Sequence, residues 1–466
     1  MGQIIAALDI GTSKSIALVV QKDFWGKLSV LQTETLPSKG AIRRGRIFNS
    51  DDTADIISKL IRKLNNNPDF PIEKIYVGIG GQSLHTQLFI VKRIVENGTV
   101  SKQLIESMEQ EANSYKPELE ENLGVFSCEF YVDRQLVANP KGTMASVIEA
   151  RFQLVVGNPC LKHNIEKMFD GKEISVAGYF ISPLATAEAV LTPEEKELGC
   201  ALVEWGEGVT YVSVYKNKAL KYLATIPLGG LAITLDIRSL NVEENEAEAL
   251  KIKYGSAMSN PDDNDEAPVN EDQISPRKIK IKDLNWIIEA RVDEIVKNIW
   301  RQIQLSEYSQ SLDAGIVITG GGALLRNLPQ YIQNQTGKSV RLANAKVLKN
   351  QVETQLSPAE SCVVGLTVLG KDSCVKAITV DIFDPVKEKK PENIQKKPEK
   401  PPKTDDGKSF RQKFRRLIAR GTEIVDEGAR LFADEDFENK TTKPVDNNSA
   451  EIRDKNNNST NNTNKQ

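Results

Sequence analysis

The sequence predicts an α/β protein in which one fold occurs twice, with a small βαββ subdomain inserted and a linker, an amphipathic helix and a disordered tail behind it. Three observations predict this. Short β-branched runs alternate with helical stretches up to about residue 383, the pattern of buried sheets flanked by helices. A series of strand, glycine turn, strand, strand occurs twice, about 195 residues apart, and repetition of a unit signals a duplicated fold. Beyond residue 383 the composition shifts to Pro and Lys and then to Asn, which leaves too little apolar surface for a core.

Each element follows in order. Residues 4–20 read as two strands joined by the turn Asp9-Ile10-Gly11-Thr12-Ser13-Lys14, with a third strand at 28–36. Ser50 and Asp51 offer N-caps to a helix whose Ile56, Leu60, Ile61 and Leu64 fall at helical spacing. A strand at 74–79 ends in Gly78-Ile79-Gly80-Gly81. The insert comes next, with strands at 88–91, 125–132 and 146–156 and a helix near 102–115. Asn158-Pro159 starts a helix with Pro in its first turn, a strand follows at 174–181, and Pro183 leads into a short helix over 184–191. The second copy places strands at 199–203, 209–215 and 219–226, with Glu204-Trp205-Gly206-Glu207-Gly208 as its turn. The stretch 255–276 holds six acids and no Lys or Arg and reads as a solvated loop. A long helix over 281–304 carries Trp286 and Trp300 among apolar residues, which places both in the core. A strand at 314–319 then runs into Gly320-Gly321-Gly322.

These elements divide the chain into a first lobe (1–84 and 157–195), the insert (85–156) and a second lobe (196–240 and 313–383) whose last helix returns to the first. A helical subdomain (241–312) belongs to the second lobe; the linker is 384–408, the amphipathic helix 409–433 and the tail 434–466.

Charge and composition exclude several classes of function. Lys and Arg number 61 against 64 Asp and Glu, a net −3, so attraction of the whole chain to nucleic acid is not expected. Five scattered cysteines form no CxxC pair, which argues for a reducing compartment and against a disulfide or zinc framework. His85 and His163, the two histidines, are expected to be hydrogen-bonding surface or edge residues rather than ligands or catalysts. The N-terminus lacks the basic region of a signal peptide, and no run approaches the roughly 20 apolar residues that cross a bilayer.

In the first turn, Gly11 lets backbone N–H groups approach a phosphate while Thr12, Ser13 and Lys14 can donate to its oxygens. Asp9 would hold Mg²⁺ through water, because Mg²⁺ keeps several waters when few carboxylates bind it. An ordinary hairpin turn has the same spelling, and these six residues alone do not separate the two. The repeated turn and the glycine triplet, a flat backbone surface suited to a base or sugar, favour the phosphate reading. The motifs resemble those of the actin/Hsp70/sugar-kinase superfamily and, within it, the FtsA family of bacterial cell division proteins. The resemblance rests on the first turn, Gly78-Ile79-Gly80-Gly81, the helix after Pro183, the segment 246–255 and the segment 315–325, and covers about residues 3–372.

That resemblance implies two ribonuclease-H-like, actin-like lobes with ATP and Mg²⁺ in the cleft. It places Asp9, Gly11, Thr12, Ser13 and Lys14 on the phosphates, Glu204, Gly206 and Gly208 in the second phosphate turn, Glu248 and Lys251 near the ribose or base, and Gly320, Gly321 and Gly322 at the adenosine. It further implies self-association into filaments, the tubulin-like division protein FtsZ as partner, and a location on the cytoplasmic face of the inner membrane at the division septum. The second turn departs from the family's Asp-x-Gly-Gly-Gly-Thr. Glu204 replaces Asp, Glu207 stands between the glycines, and Val209 takes the place of Thr, so the chain is expected to be at most a weak ATPase. Rival readings within the superfamily are an ATP-hydrolysing kinase or chaperone-like enzyme and a pilus-assembly actin homologue.

Past the linker, Phe410, Phe414, Leu417 and Ile418 recur at helical spacing with Arg411, Lys413, Arg415 and Arg416 on other faces. From 381 to 420 there are 13 basic and 7 acidic residues, net +6; from 421 to 438 there are one basic and 7 acidic residues, net −6. A basic amphipathic helix can lie in an anionic membrane surface. Docking on its own or another protein is the lesser alternative, and the position behind a linker favours an external target.

Overall fold

In the computed structural model of the chain, the described residues are 2–269, 277–349 and 352–376. The linker, the amphipathic helix with Phe410 to Ile418, and the tail lie outside them. The fold is α/β and actin-like, and the duplication read from the sequence is visible in strand order.

The first sheet contains Gln3–Ile10, Lys14–Lys22 and Leu28–Pro37 as an antiparallel meander, with Lys74–Ile79 parallel to the first strand and Ser175–Ile181 beyond it. The second repeats this order with Cys200–Trp205, Thr210–Lys216 and Ala219–Ile226, then Ile316–Thr319 and Val340–Leu342 in parallel. Central strands covered on both faces read as unbroken apolar runs, as Ile5 to Leu8, Ile16 to Val20 and Ile316 to Ile318 do. Two further strands, Lys346–Lys349 and Val352–Gln355, extend the first sheet past Leu28–Pro37.

Helices Ser182–Val190 and Ser361–Leu369 cross between the sheets. A Cβ on Gly365 would lie 1.8 Å from the Ala185 carbonyl oxygen, so the two backbones are in direct contact and nothing larger than hydrogen fits.

Residues 85–157 form a sheet of their own, in the order His85–Ile94, Val147–Gly157, Glu121–Val132, Gln135–Val137. Helix Lys102–Ser114 buries Met108 and Ala112 against it, and Val91, Ile148 and Phe152 complete that core. This sheet docks on Ala219–Ile226. Ser127 Oγ donates to the Leu220 carbonyl at 2.7 Å, Thr225 Oγ1 to the Leu84 carbonyl at 2.7 Å, and Lys221 pairs with Glu129.

Several local expectations are corrected. The cap of helix Ser50–Leu64 is Asn49, whose side chain accepts from the Asp51 and Asp52 backbone N–H groups, because an Asn one residue earlier satisfies the orphan donors first. Helix Cys160–Phe169 starts where Asn158-Pro159 predicted: Pro159 has helical dihedrals, and Asn158 Oδ1 accepts from the Cys160 N–H at 2.9 Å. Trp286 is 69% exposed, since the apolar stripe of helix Ile281–Leu305 is carried by Leu284, Ile288, Val292, Ile295, Ile299 and Ile303; Trp300 packs at its margin. The acidic stretch includes strand Glu266–Val269, which pairs with Arg277–Lys280 and buries Ala267 and Val269. His163 is exposed, and His85 lies on the strand His85–Ile94 with Nδ1 3.1 Å from the Ser83 carbonyl, both as expected.

Candidate functional site

Both glycine hairpins end at one place. Asp9 is near the end of the first strand, and the turn Gly11-Thr12-Ser13 reverses the chain into Lys14. A Cβ on Gly11 would lie 2.7 Å from the Lys14 carbonyl, so this turn needs glycine. Ser38 Oγ donates to the Gly11 carbonyl at 2.6 Å, the Ser38 N–H to the Ser13 carbonyl at 3.0 Å, and the Gly45 N–H to Thr12 Oγ1 at 3.0 Å. The turn is therefore held from outside by the loop after the third strand.

The second hairpin is shorter than the sequence suggested. Glu204 and Trp205 belong to the strand, because the ladder with Thr210–Lys216 continues through them to Tyr211 and Thr210, and Trp205 is fully buried. The Gly206 N–H donates to the Val209 carbonyl at 2.9 Å and closes the turn. The Gly230 and Leu231 N–H groups donate to the Gly206 and Glu207 carbonyls, each at 2.9 Å, so helix Gly230–Ile237 begins against the turn. A Cβ on Gly208 would meet Thr12 Oγ1 at 2.7 Å and Cγ2 at 3.0 Å. The two turns thus face each other at van der Waals distance.

Beneath them two carboxyls approach each other. Asp9 is half-buried as a residue, with its carboxyl deep among protein atoms. Burial raises its pKa, opposed by a hydrogen bond from Cys362 Sγ at 3.3 Å and by the charge of Lys14. Glu204 is pushed up to about 8, by burial first and then by the charge of Asp9, with a Thr186 hydrogen bond opposing. Glu207 is raised by burial and then by Glu248. Glu204 Oε2 and Glu207 Oε2 are buried with no hydrogen-bond partner among the described residues.

Orphaned carboxylate oxygens of this kind suit a hard cation and its waters. Among the described residues no three His, Cys, Asp or Glu side chains gather as a ligand set, so the arrangement fits Mg²⁺ held by one or two carboxylates, waters and phosphate oxygens rather than an all-protein cage.

The raised Glu204 has a consequence for stability. A carboxyl whose folded pKa is about 8 keeps a proton that the unfolded chain loses near 4.5, so between those values stability falls as pH rises. Without nucleotide or Mg²⁺, Glu204→Gln is expected to raise the melting temperature by several degrees at pH 8 and hardly at pH 5. Equal shifts at both pH values, by differential scanning calorimetry, would refute the assignment.

The remaining predicted residues surround this centre. Lys251 Nζ donates to the Gly230 carbonyl at 3.0 Å, Thr234 Oγ1 at 2.8 Å and Glu248 Oε2 at 2.7 Å, so Glu248 and Lys251 are tied to the helix that supports the second turn. Cβ atoms on Gly320 and Gly322 would strike Trp205, at 2.5 Å from its carbonyl oxygen and 2.3 Å from its indole ring, whereas Gly321 is exposed and its Cβ would meet only the Ala359 Cβ, at 3.7 Å. Two of the three glycines thus serve packing around Trp205, and Gly321 alone of the triplet presents free backbone.

Sequence reasoning missed four contributors. Lys39 reaches across to Glu244 at 2.7 Å and Asn245 Oδ1 at 3.2 Å, linking the first turn's loop to helix Glu244–Tyr254. Tyr211 OH accepts from the Gly81 N–H at 2.7 Å, joining the second sheet to the Gly80-Gly81 loop. Cys362 and Thr186 come from the crossing helices. Lys39, Tyr211 and Cys362 stand in unremarkable contexts, Thr186 lies in the helix after Pro183 without a mark of its own, and the Gly40 after Lys39, at φ 90°, is a local sign of a special loop.

Comparison with known proteins identifies the family. The family model described as cell division protein FtsA matches residues 201–365. FtsA of Porphyromonas gingivalis is 31% identical over 392 residues, covering 82% of this chain and 81% of that protein. FtsA of Escherichia coli K12 is 27% identical over 384 residues, 80% of this chain and 91% of that protein. Among solved structures, the PilM-PilN type IV pilus biogenesis complex superposes with a TM-score of 0.55 at 17% identity, over 78% of this chain and 97% of that one, a likeness of fold. With a relative above 30% identity matched over four-fifths of its length, the chain belongs to the FtsA family of cell division proteins.

Proposed function

We propose that this protein is a nucleotide-binding adaptor of cell division: it holds ATP with Mg²⁺ between the two hairpins, associates with itself, and ties FtsZ filaments to the cytoplasmic face of the membrane at the septum through residues 409–433. The observation that carries the nucleotide reading is the contact of Gly208 with Thr12, which brings two phosphate-type turns face to face over Asp9 and Glu204. In this reading the backbone of Gly11 to Ser13 and of Gly206 to Gly208 would surround the phosphates, with Lys14 beside them. Asp9 and Glu204 would take the cation through water, and a bound Mg²⁺ would supply the positive charge that lets both carboxylates ionise. Glu248 and Lys251 would lie near the ribose or base, and Gly321 would offer its backbone to the adenosine. Glu204 and Glu207 add negative charge beside the phosphates, which supports at most slow hydrolysis.

Tethering would work through effective concentration, in which individually weak membrane helices add up along a polymerised partner. Among the described residues no helix is long and apolar enough to cross a bilayer. Full-length protein is expected to sediment with anionic vesicles, and a Δ409–432 variant at least tenfold less. Equal sedimentation of the two would overturn the anchor. Mass spectrometry of gently purified protein is expected to find ATP or ADP, with about tenfold less retained by Asp9→Ala; its absence from the wild type would overturn the nucleotide reading.

A further inference from the structure

The hairpin tip between the second and third strands, Asp23-Phe24-Trp25-Gly26, has no part in the site. Phe24 is 93% and Trp25 87% exposed, and their rings pack edge to face with centroids 5.4 Å apart. The tip is not loose chain. Asp23 Oδ1 accepts from the Trp25 N–H at 2.9 Å and the Lys27 N–H at 2.8 Å, and the Asp23 N–H donates to the Lys27 carbonyl at 3.0 Å. With Gly26 at φ 81°, these bonds hold two large aromatic side chains out in water, at a cost in hydration that a monomer gains nothing from.

The tip has a defined place on the fold. It caps the end of the first sheet opposite to the Gly11 turn, because Lys14–Lys22 runs the length of the sheet between them. Lys22 at its base donates to the Val368 and Gly370 carbonyls at 2.6 and 3.0 Å. From there the chain passes Cys374, whose N–H donates to the Ile4 carbonyl at 2.7 Å, and the described residues end at Lys376. The tip therefore lies at the same end of the first sheet as Lys376, the last described residue before the segment 381–420, net +6. The basic amphipathic stretch begins 33 residues after Lys376 in the sequence, so a membrane that holds that stretch is tethered to this end of the sheet by the chain itself.

We infer that Phe24 and Trp25 form a second membrane contact, a short aromatic wedge that enters the interfacial layer of an anionic lipid surface. The inference rests on the membrane reading of 409–433. Aromatic side chains favour the headgroup level, Lys27 follows the tip directly, and the acid within it, Asp23, is engaged by its own backbone. The wedge would fix orientation as well as add affinity. With this end of the sheet on the lipid, the Gly11 turn points away from it.

The test uses the full chain and vesicles of phosphatidylglycerol and phosphatidylcholine, with and without brominated acyl chains. Brominated lipid is expected to quench tryptophan emission of the wild type, and Trp25→Phe is expected to lose most of that quenching while sedimenting nearly as well. Phe24→Ser with Trp25→Ser is expected to sediment about tenfold less, with unchanged circular dichroism. Quenching undiminished in Trp25→Phe, together with full sedimentation of the double variant, would overturn the wedge and leave the anchor standing. Full sedimentation with lost self-association would make the tip a contact between copies and overturn it equally. No sedimentation of the wild type would overturn wedge and anchor together.

Discussion

Gly365→Ala should destabilise this protein more than any other single methyl group added to the glycines discussed above. Local propensity points the other way, since Ala in place of Gly inside a helix ordinarily gains about 0.5–1 kcal/mol. Packing decides the sign. The added carbon would sit 1.8 Å from the Ala185 carbonyl oxygen and 2.3 Å from its carbon, in the backbone of the facing helix, where no rotamer change relieves it. Helices Ser182–Val190 and Ser361–Leu369 must move apart, opening a buried contact surface that includes Ala185, Thr186, Val363 and Leu366. Overpacking of a core costs about 1–3 kcal/mol where side chains can yield, and contact with backbone belongs at or beyond the upper end. A melting temperature lower by at least several degrees is expected, with poor soluble yield. Gly321→Ala is the control, because its added carbon meets nothing closer than the Ala359 Cβ at 3.7 Å, and it should melt like the wild type. Equal melting of Gly365→Ala and the wild type would show that the two helices do not cross as described.

Much of the fold was legible in the sequence because its strands are buried on both faces and its turns carry glycine. Ile16 to Val20 and Val212 to Val214 announce themselves by composition, and the duplication follows from the two glycine turns. What escaped was decided by tertiary contact. Trp286 has the same local pattern as its buried neighbours, and only the width of the apolar stripe shows which side it lies on. The strands Lys346–Lys349 and Val352–Gln355 are short and half-exposed, without a periodic signal. At the site, glycine marked both turns correctly, yet the same glycine signal at 320–322 stands partly for packing against Trp205, a distinction that needs the neighbour's position. Tyr211, Lys39 and Cys362 come from elements remote in sequence and had no motif to give them away.

Gly208→Val is expected to lower nucleotide affinity about a hundredfold while leaving a folded protein. The φ of Gly208 lies outside the left-handed region, so a branched side chain meets no backbone strain there, and the whole effect is steric. Its Cβ would press on Thr12 Oγ1 at 2.7 Å, Thr12 Cγ2 at 3.0 Å and the Arg44 Cα at 3.1 Å, three atoms of the opposite turn and the loop behind it. Relief requires the two hairpins to separate by about an ångström, and misplacement on that scale of groups that position a phosphate can cost about 10²-fold. The sheets behind each turn are untouched, so calorimetry should show a modest loss of stability. A second substitution locates the cause. Thr12→Ala removes the two nearest atoms and one hydrogen bond to the Gly45 N–H, so alone it should weaken binding modestly. Combined with Gly208→Val it should recover part of the lost affinity, a coupling that a double-mutant cycle reads directly. Strict additivity of the two losses, measured by isothermal titration with ATP and Mg²⁺, would mean that the turns act separately and that no phosphate is held between them.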